Sequence, residues 1–288
     1  MINQNLLGKV CIVTGANSGM GKIVAQALAN EGATLIMVCR IREKPQVAYE
    51  EIKGKSKNPD VELMVTDLSI QKEIRELAEK IKSKYPVIDV LVNNAGCMNF
   101  GYSQTSDGIE TTFAVNHLGY FLLTNLLLDN LKKSKSARII NVASEASKDG
   151  KINFEDLNLK NEYTSFKAYS QSKLANIIFT YELARRLKEE GVMNITVNCV
   201  HPGNVPNTKL GKGSKTFANF IASLPPSLIV TPEKGAETTI WLATSSEVEG
   251  ISGKYFHDKK EIKSNPISYD LEIGRRLWEV SEKLTNLN

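Results

Sequence analysis

The 288-residue sequence predicts an α/β protein with a doubly wound parallel sheet of about seven strands and helices on both faces. Two features predict this class. Short apolar segments rich in β-branched residues alternate with longer segments of helical periodicity, and the first apolar segment leads through a glycine-rich turn into a helix. The predicted strands lie near 9–14, 34–39, 61–66, 88–93, 137–143, 194–200 and 252–256, and the predicted helices near 19–31, 43–55, 70–84, 107–134, 167–190 and 232–246.

The glycine-rich turn is the first element that indicates a ligand. It spans Thr14–Gly21, after the apolar strand Val10–Val13 and before the helical segment Ile23–Ala29, with the spacing G-x-x-x-G-x-G. Glycine lets the backbone turn sharply and approach a pyrophosphate, to which the N-terminus of the following helix offers free N–H groups. The pattern therefore predicts a dinucleotide site, and the alternative is a plain turn that contains glycines.

The end of the second predicted strand indicates which cofactor is bound. In the NAD-binding pattern an acidic residue at this place accepts hydrogen bonds from the ribose 2′-hydroxyl. Here the sequence has Arg40, which could pair with a 2′-phosphate, assisted by Arg42 and by Asn17 of the glycine turn. We therefore expect NADP(H) to be preferred, while NAD(H) stays acceptable if Arg40 merely ends the strand.

Tyr169 and Lys173 form the second motif, in the helical segment 168–188. Their spacing places the phenol and the ammonium on one helical face, about one turn apart. A neighbouring positive charge lowers the pKa of a phenol toward the range in which it exchanges protons usefully. The pair is a candidate acid–base couple, and the alternative is an amphipathic tyrosine beside a solvated lysine.

Composition and charge argue against several other classes of protein. The net charge of +4 is spread along the chain, so no basic stripe favours nucleic acid. The N-terminus lacks a secretory signal, and the most apolar helix, 118–128, is too short to span a bilayer, so we expect a cytoplasmic protein. Scattered histidines indicate no metal site, and four cysteines without C-x-x-C spacing are expected to be reduced thiols: Cys11, Cys39, Cys97 and Cys199.

Further motifs follow in order along the chain. Asn93–Gly96 comes directly after the fourth strand, Asn116 lies in the fourth predicted helix, Ser144 ends the fifth strand and His201–Gly203 follows the sixth. With the glycine turn and the Tyr–Lys pair, these motifs resemble the short-chain dehydrogenase/reductase family. The resemblance implies a single Rossmann-fold, NAD(P)-binding domain over residues 1–288.

A longer insert separates Ser144 from Tyr169 than in the shortest members of that family. This insert and the segments Ala168–Asn176 and Ser252–Phe256 resemble the retinol dehydrogenases and the catalytic domain of the WW-domain-containing oxidoreductase. One departure is the turn after Pro202, where the threonine comes one residue late. The expected contact to the nicotinamide carboxamide is therefore not assigned to a single residue.

The resemblance implies catalytic roles for four side chains. Tyr169 would exchange a proton with the substrate oxygen, and the Ser144 hydroxyl would bind that oxygen. Lys173 would bind the nicotinamide ribose and lower the pKa of the tyrosine, and Asn116 would hold a water that links the lysine to solvent. The alternatives are an ordinary strand-end serine at 144 and a capping or bridging asparagine at 116.

The resemblance also extends the cofactor site beyond the glycine turn. Asp67 would contact the adenine with Leu68 beside it, although Asp67 could equally cap the next helix. The full set of predicted cofactor-binding residues is Gly15, Asn17, Ser18, Gly19, Met20, Gly21, Arg40, Asp67, Leu68, Asn94, Ala95, Gly96, Tyr169, Lys173, Pro202, Gly203 and Val205.

These features predict an oxidoreductase that transfers hydride between nicotinamide and a carbonyl or alcohol, as a carbonyl reductase or an alcohol or retinol dehydrogenase. The alternative is a catalytically silent dinucleotide-binding regulator or scaffold. We expect an apolar small-molecule substrate under a lid near 204–230. The resemblance makes a homodimer or homotetramer possible, since helices 107–134 and 167–190 form the dimer interface in many relatives, and it leaves the oligomeric state open. The pocket lining, or alternatively the lid packing, would come from Met98, Phe100, Phe217, Phe220 and Leu224.

Overall fold

The computed structural model describes residues 5–40, 45–205 and 229–287. In these ranges the sheet is built from strands β1 Val10–Thr14, β2 Thr34–Cys39, β3 Val61–Val65, β4 Val90–Asn93, β5 Ala137–Val142, β6 Ile195–Val200, β7 Lys254–His257 and β8 Lys260–Glu261. Their spatial order is β3-β2-β1-β4-β5-β6-β7-β8. All neighbours pair in parallel except β7 and β8, which are antiparallel.

Helices lie on both faces of the sheet. They are α1 Gly19–Asn30, α2 Pro45–Ser56, α3 Gln71–Lys84, α4 Thr111–Phe113, α5 Gly119–Leu126, α6 Leu128–Lys132, α7 Ser165–Glu189, α8 Pro232–Thr244 and α9 Leu271–Thr285. The predicted doubly wound Rossmann-like α/β fold is confirmed, with β8 as an addition that the sequence patterns did not indicate. Its organisation as a single domain over residues 1–288 stays a prediction.

Strands β1, β2, β4 and β5 each contribute to two apolar cores because successive side chains point to opposite faces of a sheet. In β1, Cys11 and Val13 belong to the core that contains Val24 of α1, whereas Ile12 belongs to the core that contains Phe179 of α7. Both faces are therefore buried. This burial explains why the strands are continuous apolar runs in the sequence rather than alternating patterns.

The predicted helix 107–134 is interrupted in the structure. The chain forms α4, a π-helical turn at Ala114–Leu118, then α5 and α6. Helix α4 starts at Thr111 because the buried carboxylate of Glu110 accepts hydrogen bonds of 2.8 Å from the N–H groups of Thr112 and Phe113. The boundary is thus set by a capping carboxylate that the periodicity of the segment does not reveal.

Helix α9 is absent from the sequence-based prediction. Its Trp278 lies 5.0 Å from the ring centre of Phe121 on α5 and 5.9 Å from that of Phe179 on α7. Helix α9 therefore covers part of the two helices on which a homodimer was predicted, and the oligomeric state stays a prediction. None of the described helices has the length and apolarity needed to cross a membrane.

Candidate active site

The site lies at the C-terminal ends of the parallel strands, where the strand order reverses between β1 and β4. Loops that leave neighbouring strands in opposite directions open a crevice at such a point. A cavity of about 950 Å³ occupies it. Of the four predicted catalytic side chains and the full set of predicted cofactor-binding residues, all except Asn116 line this cavity: Gly15, Asn17, Ser18, Gly19, Met20, Gly21, Arg40, Asp67, Leu68, Asn94, Ala95, Gly96, Ser144, Tyr169, Lys173, Pro202, Gly203 and Val205.

The glycine turn packs against the loop after β4 with no room for side chains. Gly15 has a φ of +68°, and a Cβ built on it would lie 2.9 Å from Ala95 Cα. A Cβ built on Gly21 would overlap the carbonyl oxygen of Gly15 and Nδ2 of Asn94. The backbone of the turn is therefore exposed to the cavity, and α1 begins there without an acidic residue in its first turn. Such an arrangement suits an anionic phosphate group.

Thr14 and Asn94 hold the two loops together. The Thr14 hydroxyl oxygen accepts hydrogen bonds from the N–H groups of Asn94 at 2.9 Å and Ala95 at 3.0 Å. In return, Nδ2 of Asn94 donates to the carbonyl oxygen of Thr14 at 2.8 Å. These hydrogen bonds fix the shape of the crevice. The sequence predicted Asn94 as a cofactor-binding residue but did not predict that its side chain holds the two loops together.

Arg40 and Asp67 line the part of the cavity near the ends of β2 and β3. Arg40 lies directly after β2 and is exposed. Burial raises the pKa of the Cys97 thiol to about 12, and the charge of Arg40 opposes part of this rise. Asp67 does not cap α3, whose N-cap residue is Ile70. Instead, the Asp67 carboxylate accepts a hydrogen bond of 2.9 Å from the N–H of Ser69. Arg42, the predicted assistant of Arg40, lies outside the described residues.

Tyr169 and Ser144 meet at the opposite part of the cavity. Tyr169 lies in the first turns of α7, half-buried, and burial raises the pKa of its phenol while the Ser144 side chain acts to lower it. The Ser144 hydroxyl oxygen accepts from the N–H of Ala146 at 3.3 Å and caps a short 3₁₀ helix, Glu145–Asp149. Two hydroxyl groups thus converge on one wall of the cavity, as the sequence predicted.

Lys173 lies one turn below Tyr169 and is only 2% exposed. Its ammonium nitrogen donates a hydrogen bond of 2.8 Å to the carbonyl oxygen of Val142 at the end of β5. The same nitrogen lies 5.8 Å from the ring centre of Tyr169. The predicted placement of both side chains on one face of the helix is therefore confirmed by the coordinates.

The pKa of Tyr169 is raised, not lowered as the spacing to Lys173 predicted. Burial raises the pKa of Tyr169 to about 12, and the Ser144 side chain offsets this only in part. Burial likewise lowers the pKa of Lys173 to about 7. Desolvation disfavours the charged form of both groups and is the largest cause of both shifts.

Asn116 lies in the π-helical turn, behind the cavity wall rather than on it. Its Oδ1 accepts a hydrogen bond of 2.8 Å from the N–H of Cys97, and its Nδ2 donates to the carbonyl oxygen of Cys97 at 2.9 Å and to Oγ of Ser172 at 3.0 Å. A Cβ built on Gly96 would lie 3.3 Å from this Oδ1 and 3.6 Å from Lys173 Nζ. Asn116 thus connects the loop after β4 to helix α7.

The turn after β6 closes the cavity beside Ser144. The N–H of Gly203 donates a hydrogen bond of 3.2 Å to Nδ1 of His201, and Gly203 has a φ of +80°. The His201 ring stacks on that of His257 at 4.0 Å, and burial together with His257 lowers the pKa of His201 to about 4. The neutral imidazole is therefore able to accept this bond at ordinary pH.

Sequence reasoning missed several residues of the cavity wall, among them Thr66, Cys97 and Phe166. Phe166 precedes Tyr169 by three positions on α7, so helical spacing could have placed it on the same face. Met98 and Phe100 line the cavity as predicted. The other predicted lining residues, Phe217, Phe220 and Leu224, lie outside the described residues, as does most of the predicted lid. Among the residues described, no group of three or more His, Cys, Asp or Glu side chains could hold a metal ion.

The burial of Lys173 predicts a pH-dependent stability in the protein without cofactor. Its pKa falls to about 7, against an ordinary value of 10.5 in the unfolded chain. Between these values Lys173 binds more protons in the unfolded state than in the folded state, so its contribution to the free energy of unfolding should rise with pH by at most about 1.4 kcal/mol per unit.

The measurement is chemical denaturation of wild type and Lys173→Met between about pH 7 and pH 8.5. The cysteines of the unfolded chain, with pKa values of about 8.5, titrate in this interval in both proteins, so their effect cancels in the difference between the two profiles. Wild type should gain stability relative to the variant over this interval. Parallel pH profiles of the two proteins would contradict a buried lysine with a lowered pKa.

Comparison with known proteins agrees with this geometry. The sequence model of the family described as "short chain dehydrogenase" matches residues 9–218 of this chain. Human retinol dehydrogenase 13 is 44% identical over 286 residues, covering 97% of this chain and 85% of its own. Mouse retinol dehydrogenase 14 is 42% identical over 296 residues, covering 97% of this chain and 86% of its own.

Solved structures have the same fold. An uncharacterised protein from Mycobacterium paratuberculosis is 32% identical with a TM-score of 0.79, and the match covers 97% of this chain and 94% of that one. A short chain dehydrogenase from Escherichia coli CFT073, solved in complex with NADPH, is 23% identical with a TM-score of 0.68 and covers 88% of this chain and 98% of that one.

The Rossmann-like sheet, the crevice at its switch point and the matches define a class: an NAD(P)-dependent oxidoreductase that acts on CH–OH groups. A nicotinamide dinucleotide is its cofactor, and its substrates are small molecules. More particularly, the chain belongs to the short-chain dehydrogenase family, in the branch of the retinol dehydrogenases.

Proposed function

We propose that the chain is an NADP(H)-dependent carbonyl reductase or alcohol dehydrogenase of an apolar substrate, with Tyr169 as its general acid and base. The observation that carries the proposal is that one cavity brings Arg40 at one end together with Tyr169 and Ser144 at the other. The cavity also fits the cofactor. Glycine backbone without room for Cβ atoms and a helix N-terminus face it where a pyrophosphate would lie.

When bound, the nicotinamide exchanges a hydride with the carbon of the substrate C–O group. During reduction, negative charge develops on the substrate oxygen, and the hydroxyls of Ser144 and Tyr169 are placed to donate to it. A phenol with a pKa of about 12 is protonated at neutral pH, so Tyr169 holds the proton that this oxygen takes. Lys173 would bind the nicotinamide ribose and bring its charge next to the tyrosine.

Arg40 should decide the preference for NADPH. Its position after β2, on the cavity wall, suits a charge-assisted hydrogen bond to a 2′-phosphate. Because a hydrogen bond to a charged group contributes about 1.5–3 kcal/mol, Arg40→Ala should lower kcat/KM for NADPH by roughly 10- to 100-fold. The value for NADH should change little.

Lys53→Ala is the matched control for Arg40→Ala, since it removes a cation from α2 that does not line the cavity. Steady-state kinetics with both cofactors measures the outcome. An Arg40→Ala variant that retains its preference for NADPH, or a wild type that uses NADH much faster, would contradict the cofactor assignment.

The substrate side of the cavity is apolar where Met98, Phe100 and Phe166 line it. The relatives named retinol dehydrogenases suggest that a retinoid is one substrate to test. We propose an apolar aldehyde or ketone and its alcohol as the substrate pair. Side chains that exclude water at this place strengthen the hydrogen bonds from Ser144 and Tyr169.

The direct test of the function is oxidation of NADPH by the purified chain with a panel of carbonyl compounds. The panel should contain retinal, long-chain aldehydes, aromatic ketones and small polar aldehydes, and NADH should be run in parallel. We expect turnover that is fastest with NADPH and with apolar members. Binding of NADPH without turnover of any compound would favour a silent regulator instead.

A further inference from the structure

The segment 262–287 follows β8 and lies beyond the matched residues 9–218 of the family. It consists of a 3₁₀ turn, Pro266–Tyr269, and helix α9, and it packs against α7. None of its residues lines the active-site cavity. Two of its side chains nevertheless contact the chain next to Ser144 and next to Asn116.

The first contact is made by Asn265, which is 8% exposed. Its Nδ2 donates to three carbonyl oxygens of the segment after Ser144: Ser147 at 3.2 Å, Lys148 at 3.0 Å and Gly150 at 3.2 Å. Its Oδ1 accepts from the N–H of Ile267 at 3.1 Å and so caps the 3₁₀ turn of its own segment. One amide therefore joins two short helical turns, one of which begins at Ser144.

The second contact is made by Ser281 of α9. Its hydroxyl lies 2.9 Å from Nε2 of His117, and it also donates to the carbonyl oxygen of Leu277 at 2.7 Å. His117 is fully buried in the π-helical turn, directly after Asn116. The two neighbours contact different elements, since Asn116 bonds to Cys97 on the site side and His117 bonds to α9 behind it.

We propose that the segment 262–287 positions the catalytic Ser144 and also Asn116, which connects the loop after β4 to helix α7. Asn265 is the positioning residue for Ser144, and the His117–Ser281 pair is that for Asn116. The inference rests on the proposed function. Neither Ser144 nor Asn116 is held by a regular α-helix or by a strand interior, because one caps a 3₁₀ helix and the other lies in a π turn. A 3₁₀ helix has poorer hydrogen-bond geometry than an α-helix, and π turns are short interruptions of helices, so contacts from neighbouring segments add to the support of both turns. Misplacement of a catalytic group by about 1 Å can cost 100-fold in rate.

The test at α9 compares Ser281→Ala with Thr285→Ala. Both hydroxyls are buried on the same helix and donate to a carbonyl oxygen one turn earlier at 2.7 Å, but only Ser281 contacts His117. We expect Ser281→Ala to lower kcat on the order of tenfold with little change in KM for NADPH. Thr285→Ala should leave kcat near the wild-type value.

The test at the 3₁₀ turn compares Asn265→Asp with Asn58→Asp. Both asparagines are 8% exposed, and Asn58 donates its amide to the carbonyl oxygens of Ala29 and Ala33, far along the sheet from the site. Each aspartate would face carbonyl oxygens and should lower the melting temperature. Only Asn265→Asp should also lower kcat, by on the order of tenfold or more at temperatures where both variants are folded.

Hydrogen exchange gives a readout that does not depend on turnover. Peptides over 114–118 in Ser281→Ala and over 145–150 in Asn265→Asp should exchange faster than in the control variants. Equal kcat and equal exchange in each variant and its control would overturn the positioning role. If the wild-type protein showed no turnover, the proposed function would be contradicted. The hydrogen-exchange comparison would still show whether the segment 262–287 orders these two turns.

Discussion

Replacing Tyr169 by phenylalanine should lower kcat for carbonyl reduction by about 100- to 10,000-fold, the range typical of a lost general acid. The phenol is the group that holds a proton at the cavity wall, and Ser144 next to it is a far weaker acid at neutral pH. Phenylalanine fills nearly the same volume, so binding of NADPH should change little. Single-turnover kinetics of NADPH oxidation, together with fluorescence titration of NADPH, measures both quantities.

Tyr163→Phe is the matched control for Tyr169→Phe. Tyr163 is also half-buried nearby and donates a hydrogen bond of 2.8 Å to the carbonyl oxygen of Asn99, but it does not line the cavity. This variant should retain kcat within a few-fold of wild type. Unchanged turnover in Tyr169→Phe would contradict the proposed mechanism. If turnover were unchanged in both variants, neither tyrosine would be the proton donor.

Gly21→Ala should abolish tight binding of the cofactor. The added methyl group would overlap the Gly15 carbonyl oxygen and the Asn94 amide, and its other near contact is a backbone carbon of Gly15 at 2.9 Å. Backbone atoms cannot rotate away, so the glycine turn and the loop after β4 must separate. We expect the Kd for NADPH to rise at least 100-fold, and the free energy of unfolding to fall by about 1–3 kcal/mol as in other overpacked sites.

Gly54→Ala provides the control, because a Cβ at this position of α2 meets no atom within 4 Å. Alanine is the better helix former by about 1 kcal/mol, so this variant should be as stable as wild type or more stable, with normal NADPH affinity. Thermal denaturation and NADPH titration of the two variants check the prediction. Normal affinity in Gly21→Ala would mean that the turn does not cradle the cofactor.

Most of the fold and the place of the site could be predicted from short-range patterns. Strands buried on both faces, a glycine turn before α1 and a Tyr–Lys spacing of one helical turn are all properties of contiguous residues. The polypeptide backbone converts each of them into geometry with little help from distant groups. For this reason the predicted residues line one cavity although they come from seven separate segments of the chain.

The structural elements that were not predicted from the sequence share one property: they depend on contacts between distant parts of the chain. Glu110 starts α4 through its buried carboxylate, and its own N–H is bonded by Asn158 from the insert before α7. The π turn around Asn116 contacts Cys97 on one side and Ser281 on the other. Helix α9, whose buried face includes Leu277 and Trp278, belongs to the same group of unpredicted elements.

Local sequence patterns were enough to predict strands β1 to β7, the glycine turn and the shared face of Tyr169 and Lys173. The charge states of these two side chains and the positions of Ser144 and Asn116 depend on how distant parts of the chain pack together. The physical reason is that helical spacing acts within one turn of the chain, whereas desolvation depends on everything packed around a group. Burial therefore raised the pKa of Tyr169 and lowered that of Lys173, against the expectation from their proximity alone.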